Sequence, residues 1–506
     1  MNGNIVRSIL GGVLLTLAAL SAVAEPITIA IPEGAQGSPF PHFWEQMFGS
    51  GRAVLALRDG YRQDVRSVKT VSDFRYVRFH GIFDDDVGLY DTDEAGNVTY
   101  NFTYVDQIYD GLLADGVRPF VELSFMPYKL AADPKNIFGF WYKPNISPPK
   151  DYAQWDAMID AFVRHLVDRY GIDEVAQWYF EVWNEPNIGF WGGVPYQPTY
   201  FELYDHTARA IKQVDVRLRV GGPSSAQAGW AHDFIEHCNS NHVPVDFVSS
   251  HVYANDTPED VFKSTTPIPR DQMVCKSVGK VASEIRASSL PQLPLIWSEF
   301  NASYANEPNV TDTVYMGPWL ATTISQCDGL TQAMSYWSFS DVFEEGGVAR
   351  TPFYGGFGLV APDSIPKPAF NAFGLLHRLG QERYPSGSDA ALITRREDGT
   401  WVLALWNYAP PEGTGEKYTP PGPTGPEKDF IINLKARHAT LWRVDAEHGN
   451  VIKAFDAMGR PRFPSRAQLQ ALRAAAKLPP PVTLPVRNGA LSVSVPTYGL
   501  AVLEIH

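Results

Sequence analysis

Between about Trp44 and Gly380 the chain alternates short apolar strands with amphipathic helices, and this alternation restricts the fold more than any other feature. The strands read as Trp44–Gly49, Phe74–His80, Arg118–Phe125, Trp178–Asn184, Arg219–Pro223, Val245–His251, Pro294–Phe300 and Ala333–Ser338. Asp151–Tyr170 is the clearest helix: Tyr152, Trp155, Ile159, Phe162 and Leu166 recur at helical spacing, and Gly171 is a natural C-cap. Gln197–Val214 and Thr311–Gln326 follow the same pattern. Eight strand–helix units predict a (β/α)8 TIM barrel over residues 41–380. A doubly wound open sheet competes with it, but no GxGxxG follows the first strand.

Loop lengths point the same way. The long connections follow strands two, three, four and eight, at Asp84–Asn101, Met126–Lys150, Glu185–Pro198 and Phe339–Lys367. Barrel enzymes carry their sites on these loops, at the C-terminal face. The loops are rich in aromatics, among them Phe138, Phe140, Trp141, Tyr142, Phe190 and Trp191.

After Gly380 the pattern becomes short alternating strands with Pro/Gly-rich turns, which predicts a β-sandwich over residues 381–506. Its strands read as Ala391–Thr394, Trp401–Asn407, Phe430–Leu434, His438–Arg443, Leu491–Val495 and Leu500–Ile505, with one helix at Arg466–Lys477. Residues 25–40 hold a lone strand, Ile27–Ile31, expected to join the sandwich because a solitary strand needs a partner.

Residues 1–24 read as a signal peptide: Arg7, an apolar run from Ile9 to Leu20, and the A-x-A pattern Ala22-Val23-Ala24. The chain is therefore expected to be exported, periplasmic or secreted, with no membrane association after cleavage. A net charge of −14 argues against nucleic-acid binding, while oligomeric state, including a homo-oligomer, stays open. Three cysteines, Cys238, Cys275 and Cys327, allow one disulfide at most and read foremost as small buried hydrophobes.

Two glutamates stand at opposite strand ends. Trp183-Asn184-Glu185-Pro186 closes the fourth strand, and Ile296-Trp297-Ser298-Glu299-Phe300-Asn301 closes the seventh. Strands four and seven face each other across an eight-stranded ring. Glycosidic cleavage needs that arrangement: one carboxyl protonates the leaving oxygen and the other attacks or assists at the anomeric carbon. Glu122 and Glu181 lie mid-strand, where side chains point into the packed barrel. Asp84-Asp85-Asp86 reads as a solvated loop and not a metal site.

These motifs together resemble glycoside hydrolase family 39 of clan A, and specifically its β-xylosidases. The matching segments include Gly49-Ser50-Gly51-Arg52-Ala53, Val77-Arg78-Phe79-His80-Gly81, the two glutamate motifs, Tyr336 through Glu345 and Gly355-Gly356-Phe357-Gly358-Leu359. The resemblance implies that Glu185 is the acid/base and Glu299 the nucleophile of a retaining double displacement. It implies that His80, Asn184, His251, Tyr253, Tyr304, Trp337, Glu344 and Glu345 hold the sugar. Terminal β-D-xylosyl residues of xylo-oligosaccharides or aryl xylosides are the expected substrate, with no metal and no cofactor. Other family activities (α-L-iduronidase, α-L-arabinosidase, β-glucosidase) and a non-catalytic exported sugar-binding protein are the alternatives. A uronate would call for a basic clamp, whereas the strand-eight loop offers Glu344 and Glu345.

Overall fold

The computed structural model describes residues 25–30, 34–420, 425–433 and 435–506; the signal-peptide reading of residues 1–24 falls outside them, as do Ile31 and Leu434, the last residues of two expected strands. Eight parallel strands close into a barrel: β1 (Met47–Gly49), β2 (Tyr76–Phe79), β3 (Arg118–Leu123), β4 (Tyr179–Val182), β5 (Arg219–Ser225), β6 (Phe247–Tyr253), β7 (Leu295–Asn301) and β8 (Ala333–Tyr336). Each pairs with its neighbours in chain order, and β8 returns to β1 through Ser335 opposite Met47.

The strand residues explain the layering inside. Met47, Phe120, Tyr179, Phe247, Ile296 and Ala333 form an apolar plug low in the barrel. Above it the inward positions turn charged. Glu122 and Glu181 lie side by side in the β3–β4 register, and Arg78 projects from β2. The ladder is irregular at Ser250/His251 and again between Trp297 and Phe300. Bulges of this kind re-aim side chains at a barrel rim, and here they flank His251 and Glu299.

Helix α1 (Tyr152–Tyr170) begins where Asp151 accepts a hydrogen bond from the Ala153 amide, and it ends at Gly171, at φ 82°. Its neighbour α2 (Tyr196–Val214) packs beside it. Farther round the ring, α3 (Arg270–Ala287) and α4 (Met316–Cys327) are joined by a Cys275–Cys327 disulfide, while Cys238 is free and buried. The sequence reading of all three cysteines as small buried hydrophobes therefore needs correction. Two helix faces that pack against each other bring Cα atoms to 5.0 Å, a proximity that spacing in sequence does not reveal. The last barrel helix is α5 (Pro368–Leu376).

Beyond the barrel, a seven-stranded sheet faces a three-stranded one, forming a β-sandwich. Ile27–Ala30 pairs in parallel with Lys428–Asn433. Trp401–Trp406 shows why the unit is joined to the barrel. Leu403 and Leu405 face the core between the two sheets, while Val402, Ala404 and Trp406 are continuous with the barrel core. No helix among the described residues is long and apolar enough to cross a membrane.

Candidate active site

Glu299, near the end of β7, is held on both oxygens. Arg78 Nη1 donates to Oε1 at 2.5 Å, and the Tyr253 hydroxyl donates to Oε2 at 2.6 Å. Arg78 is wholly buried and fans its remaining donors over the barrel interior: Nε to Glu181 at 2.6 Å, and Nη2 to Glu122 at 2.8 Å, Asn184 at 2.9 Å and Ser224 at 3.1 Å. A buried guanidinium is tolerated only with such partners.

His80, just beyond β2, bonds Glu122 at 2.7 Å through Nδ1 and lies 3.5 Å from Glu345 through Nε2. Burial disfavours its imidazolium. Glu122, Glu345 and Glu299 more than offset that, and hold the His80 pKa up to about 10. His251 sits between the two catalytic candidates, with Nδ1 3.0 Å from Glu185 Oε1 and 3.7 Å from Glu299 Oε1. Burial, with Arg78 and His80 nearby, pushes its pKa well below the ordinary range, so it is neutral.

Glu185 follows β4 on a turn in which Trp183 and Glu185 both adopt positive φ, 69° and 45°. Non-glycine residues in that region carry a conformational cost, which here turns the carboxyl over the barrel mouth. The Glu185 amide donates to Ser224 O at 2.8 Å, which ties the turn to β5. One oxygen of Glu185 and one of Glu299 lie within 4.8 Å of each other.

The two carboxyls differ electrostatically. Burial and then the negative charge of Glu299 drive the Glu185 pKa well above the usual carboxylate range. Burial also raises Glu299, but Arg78, His80 and the Tyr253 hydroxyl pull it back. Both are raised, but Glu185 is driven further, so Glu185 is the better proton holder of the pair and Glu299 the one that ionises first.

Both carboxyls open into a cleft of about 280 Å³. The lining includes His80, Asn184, His251, Tyr253, Tyr304, Trp337 and Glu345, together with Phe140, Phe190 and Asp256. The cleft lies at the small end of ligand pockets. Trp337 is a wall: its ring lies 4.9 Å from His80 and packs against Gly49, where a Cβ would fall 2.0 Å from the ring. Tyr304 stands at the rim, 56% exposed.

Glu344 is the exception among the expected sugar-binding residues. Its carboxylate is taken by Arg58, with Arg52 Nη2 3.9 Å away, and it does not line the cleft. Two neighbouring residues on a loop project in different directions, so only Glu345 faces the site. Asp84-Asp85-Asp86 likewise splits up: Asp85 caps the Tyr128 amide, Asp86 pairs with Arg52 and Asp84 is buried. Arg78 received no role from sequence. Its signal was legible all the same: a charged residue in Tyr76-Val77-Arg78-Phe79, between outward apolar neighbours, must point into the barrel and find counter-charges there.

A closed parallel barrel whose C-terminal mouth carries two carboxyls of unequal acidity across a cleft is the scaffold of a glycoside hydrolase. The family model for glycosyl hydrolases family 39 matches residues 27–490, and the chain belongs to that family. It is 40% identical over 450 residues to a β-xylosidase of Geobacillus stearothermophilus, covering 86% of each chain. It is 35% identical over 467 residues to a β-xylosidase of Caldicellulosiruptor saccharolyticus, covering 89% of this chain and 91% of that one. A solved family 39 β-xylosidase from Caulobacter crescentus superposes with a TM-score of 0.81 at 32% identity, over 96% of this chain and 100% of the other.

Proposed function

We propose that this glycosidase is an exported, retaining β-xylosidase. It removes terminal β-D-xylosyl residues from xylo-oligosaccharides or aryl xylosides. The carrying observation is the pair itself: Glu299 clamped by Arg78 and Tyr253, within 4.8 Å of a Glu185 that is the better proton holder. Retaining glycosidases hold their carboxyls about 5–5.5 Å apart, and inverting ones about 6.5–9.5 Å.

In the first step a Glu299 oxygen forms a bond to the anomeric carbon while the bond to the leaving oxygen breaks. The Glu185 proton passes to that oxygen. Ester formation removes the Glu299 charge, which is one cause of the high Glu185 pKa. Glu185 thereby becomes a carboxylate that can accept a proton. In the second step it deprotonates a water, whose oxygen bonds the anomeric carbon and releases Glu299. Asn184, beside the acid and held by Arg78, is suited to donate to the sugar 2-hydroxyl. Glu345 in the cleft and the β-xylosidase relatives at 40% and 35% identity favour a neutral pentoside. The N-terminal pattern of residues 1–24 supports export.

The test is hydrolysis of aryl β-xyloside, with the first-formed xylose anomer read by NMR, beside an aryl iduronide. β-Xylose and faster xyloside turnover are expected. An α-anomer would contradict retention, and faster iduronide turnover would contradict the pentoside reading.

A further inference from the structure

A cavity of about 1020 Å³ shares no lining residue with the cleft of the two glutamates. It sits between the segment entering β1, the end of α5 and the sandwich. At its wall His42, Glu45 and His377 converge. His42 Nδ1 lies 2.7 Å from Glu45 Oε1, and His377 Nδ1 lies 2.7 Å from Glu45 Oε2. One donor atom from each of the three lies within 4.8 Å of the others. Glu45 is fully buried, whereas the His377 side chain is 46% exposed and can adjust.

His42 Nε2 lies 3.3 Å from the carbonyl of Gly380, which can only accept, so Nε2 carries the proton. Nδ1 faces Glu45 Oε1 at 2.7 Å, where either a proton or a metal ion can bridge the two. A ring whose remote N–H is held by a backbone carbonyl is the usual arrangement of a metal-ligating histidine.

We propose that His42 Nδ1, Glu45 and His377 Nδ1 bind a divalent transition-metal ion of the zinc type, with a water from the cavity completing the shell. Two imidazoles and a carboxylate suit such ions. Tetrahedral bonds of about 2.0–2.1 Å set donor atoms about 3.3 Å apart, so the His42–Glu45 and His377–Glu45 contacts must each open by about 0.6 Å, the second through the half-exposed His377. The ion is structural. It ties the approach to the first barrel strand to the end of the last barrel helix, and takes no part in glycoside cleavage.

Chelator-stripped protein titrated with zinc chloride in a calorimeter is expected to take up one equivalent at this site. Zinc at 100 times its Kd should shift the folded-to-unfolded ratio about 100-fold, seen as a higher Tm. His377→Ala should lose both effects while hydrolysing aryl xyloside at the wild-type rate, and His42→Gln should show the same loss. Stripped His377→Ala with a wild-type Tm establishes that the loss is not misfolding; if its Tm falls, His42→Gln decides. Zinc bound at Glu185, His251 and Glu299 would inhibit hydrolysis and would persist in His377→Ala. No zinc uptake by the wild-type protein, or uptake and a Tm rise unchanged in both variants, overturns the proposal.

Discussion

Arg78 Nη1 meets Glu299 Oε1 at 2.5 Å inside the barrel, and the same guanidinium bonds Glu122 and Glu181. One cation thus serves three carboxylates, and the nucleophile candidate ionises before the acid candidate next to it. Arg78→Met leaves Glu181 without its cation and leaves Glu122 and Glu299 to His80 alone. Breaking a buried ion pair on one side costs about 3–5 kcal/mol, so denaturant titration should show a loss of at least that size. Arg78→Lys keeps the charge but loses the fork. It should fold, with kcat on aryl xyloside falling about 100-fold or more, as for loss of a preorganised electrostatic donor. Near-normal kcat in Arg78→Lys would remove the guanidinium from the account.

The pH profile follows from the directions of the two shifts. Glu185 is raised well above the ordinary value of about 4.3, so it stays protonated, and the enzyme active, to a higher pH than a free carboxyl allows. Activity falls as pH rises through that pKa. On the acid side it falls as Glu299 takes up a proton. The kcat/KM for an alkyl xyloside should therefore be bell-shaped, with an alkaline limb that vanishes from the first step with a dinitrophenyl leaving group. A flat profile between about pH 5 and 9 contradicts the assignment.

Gly49 leaves room for the Trp337 ring, and Gly49→Ala puts a methyl 2.0 Å from it. The ring must tilt into the cleft. We expect kcat/KM for xyloside to drop by a factor on the order of 10–100, the cost of about 1–3 kcal/mol that overpacking brings. An unchanged kcat/KM would show that Trp337 does not shape the sugar site.

Much of this was legible in the chain. All eight barrel strands announce themselves because they are short apolar runs separated by periodic helices. Asp151 and Gly171 mark the ends of one helix by local chemistry alone. Glu185 and Glu299 stand out because strand number converts into position on the ring. Direction and distant contact were not legible. Nothing local says that Glu345 turns to the cleft while Glu344 turns to Arg58. Nothing local joins Cys275 to Cys327, since they lie 52 residues apart on two different helices. Arg78 lay between these cases: alternation along β2 implied an inward charge, but the counter-charges come from β3, β4 and β7.

That disulfide closes a 52-residue separation between α3 and α4. Chain-entropy reasoning assigns such a loop about 4 kcal/mol. Cys275→Ala/Cys327→Ala should lower Tm accordingly while keeping the wild-type rate on aryl xyloside at 25 °C, because neither cysteine lines the cleft. Differential scanning calorimetry of oxidised, reduced and variant protein checks it, and a Tm unchanged on reduction contradicts it.

The division of labour between Glu185 and Glu299 is tested most directly by azide rescue, with product configuration read by NMR. In Glu185→Ala, dinitrophenyl xyloside still forms the covalent intermediate because its leaving group needs no proton, and azide then attacks without a base. The product should be the β-xylosyl azide, with turnover restored. In Glu299→Ala, turnover without azide should fall by a factor on the order of 10⁴ or more. Added azide should there attack directly and give the α-anomer. An inverted azide from Glu185→Ala, or near-normal turnover by Glu299→Ala without azide, would contradict the account.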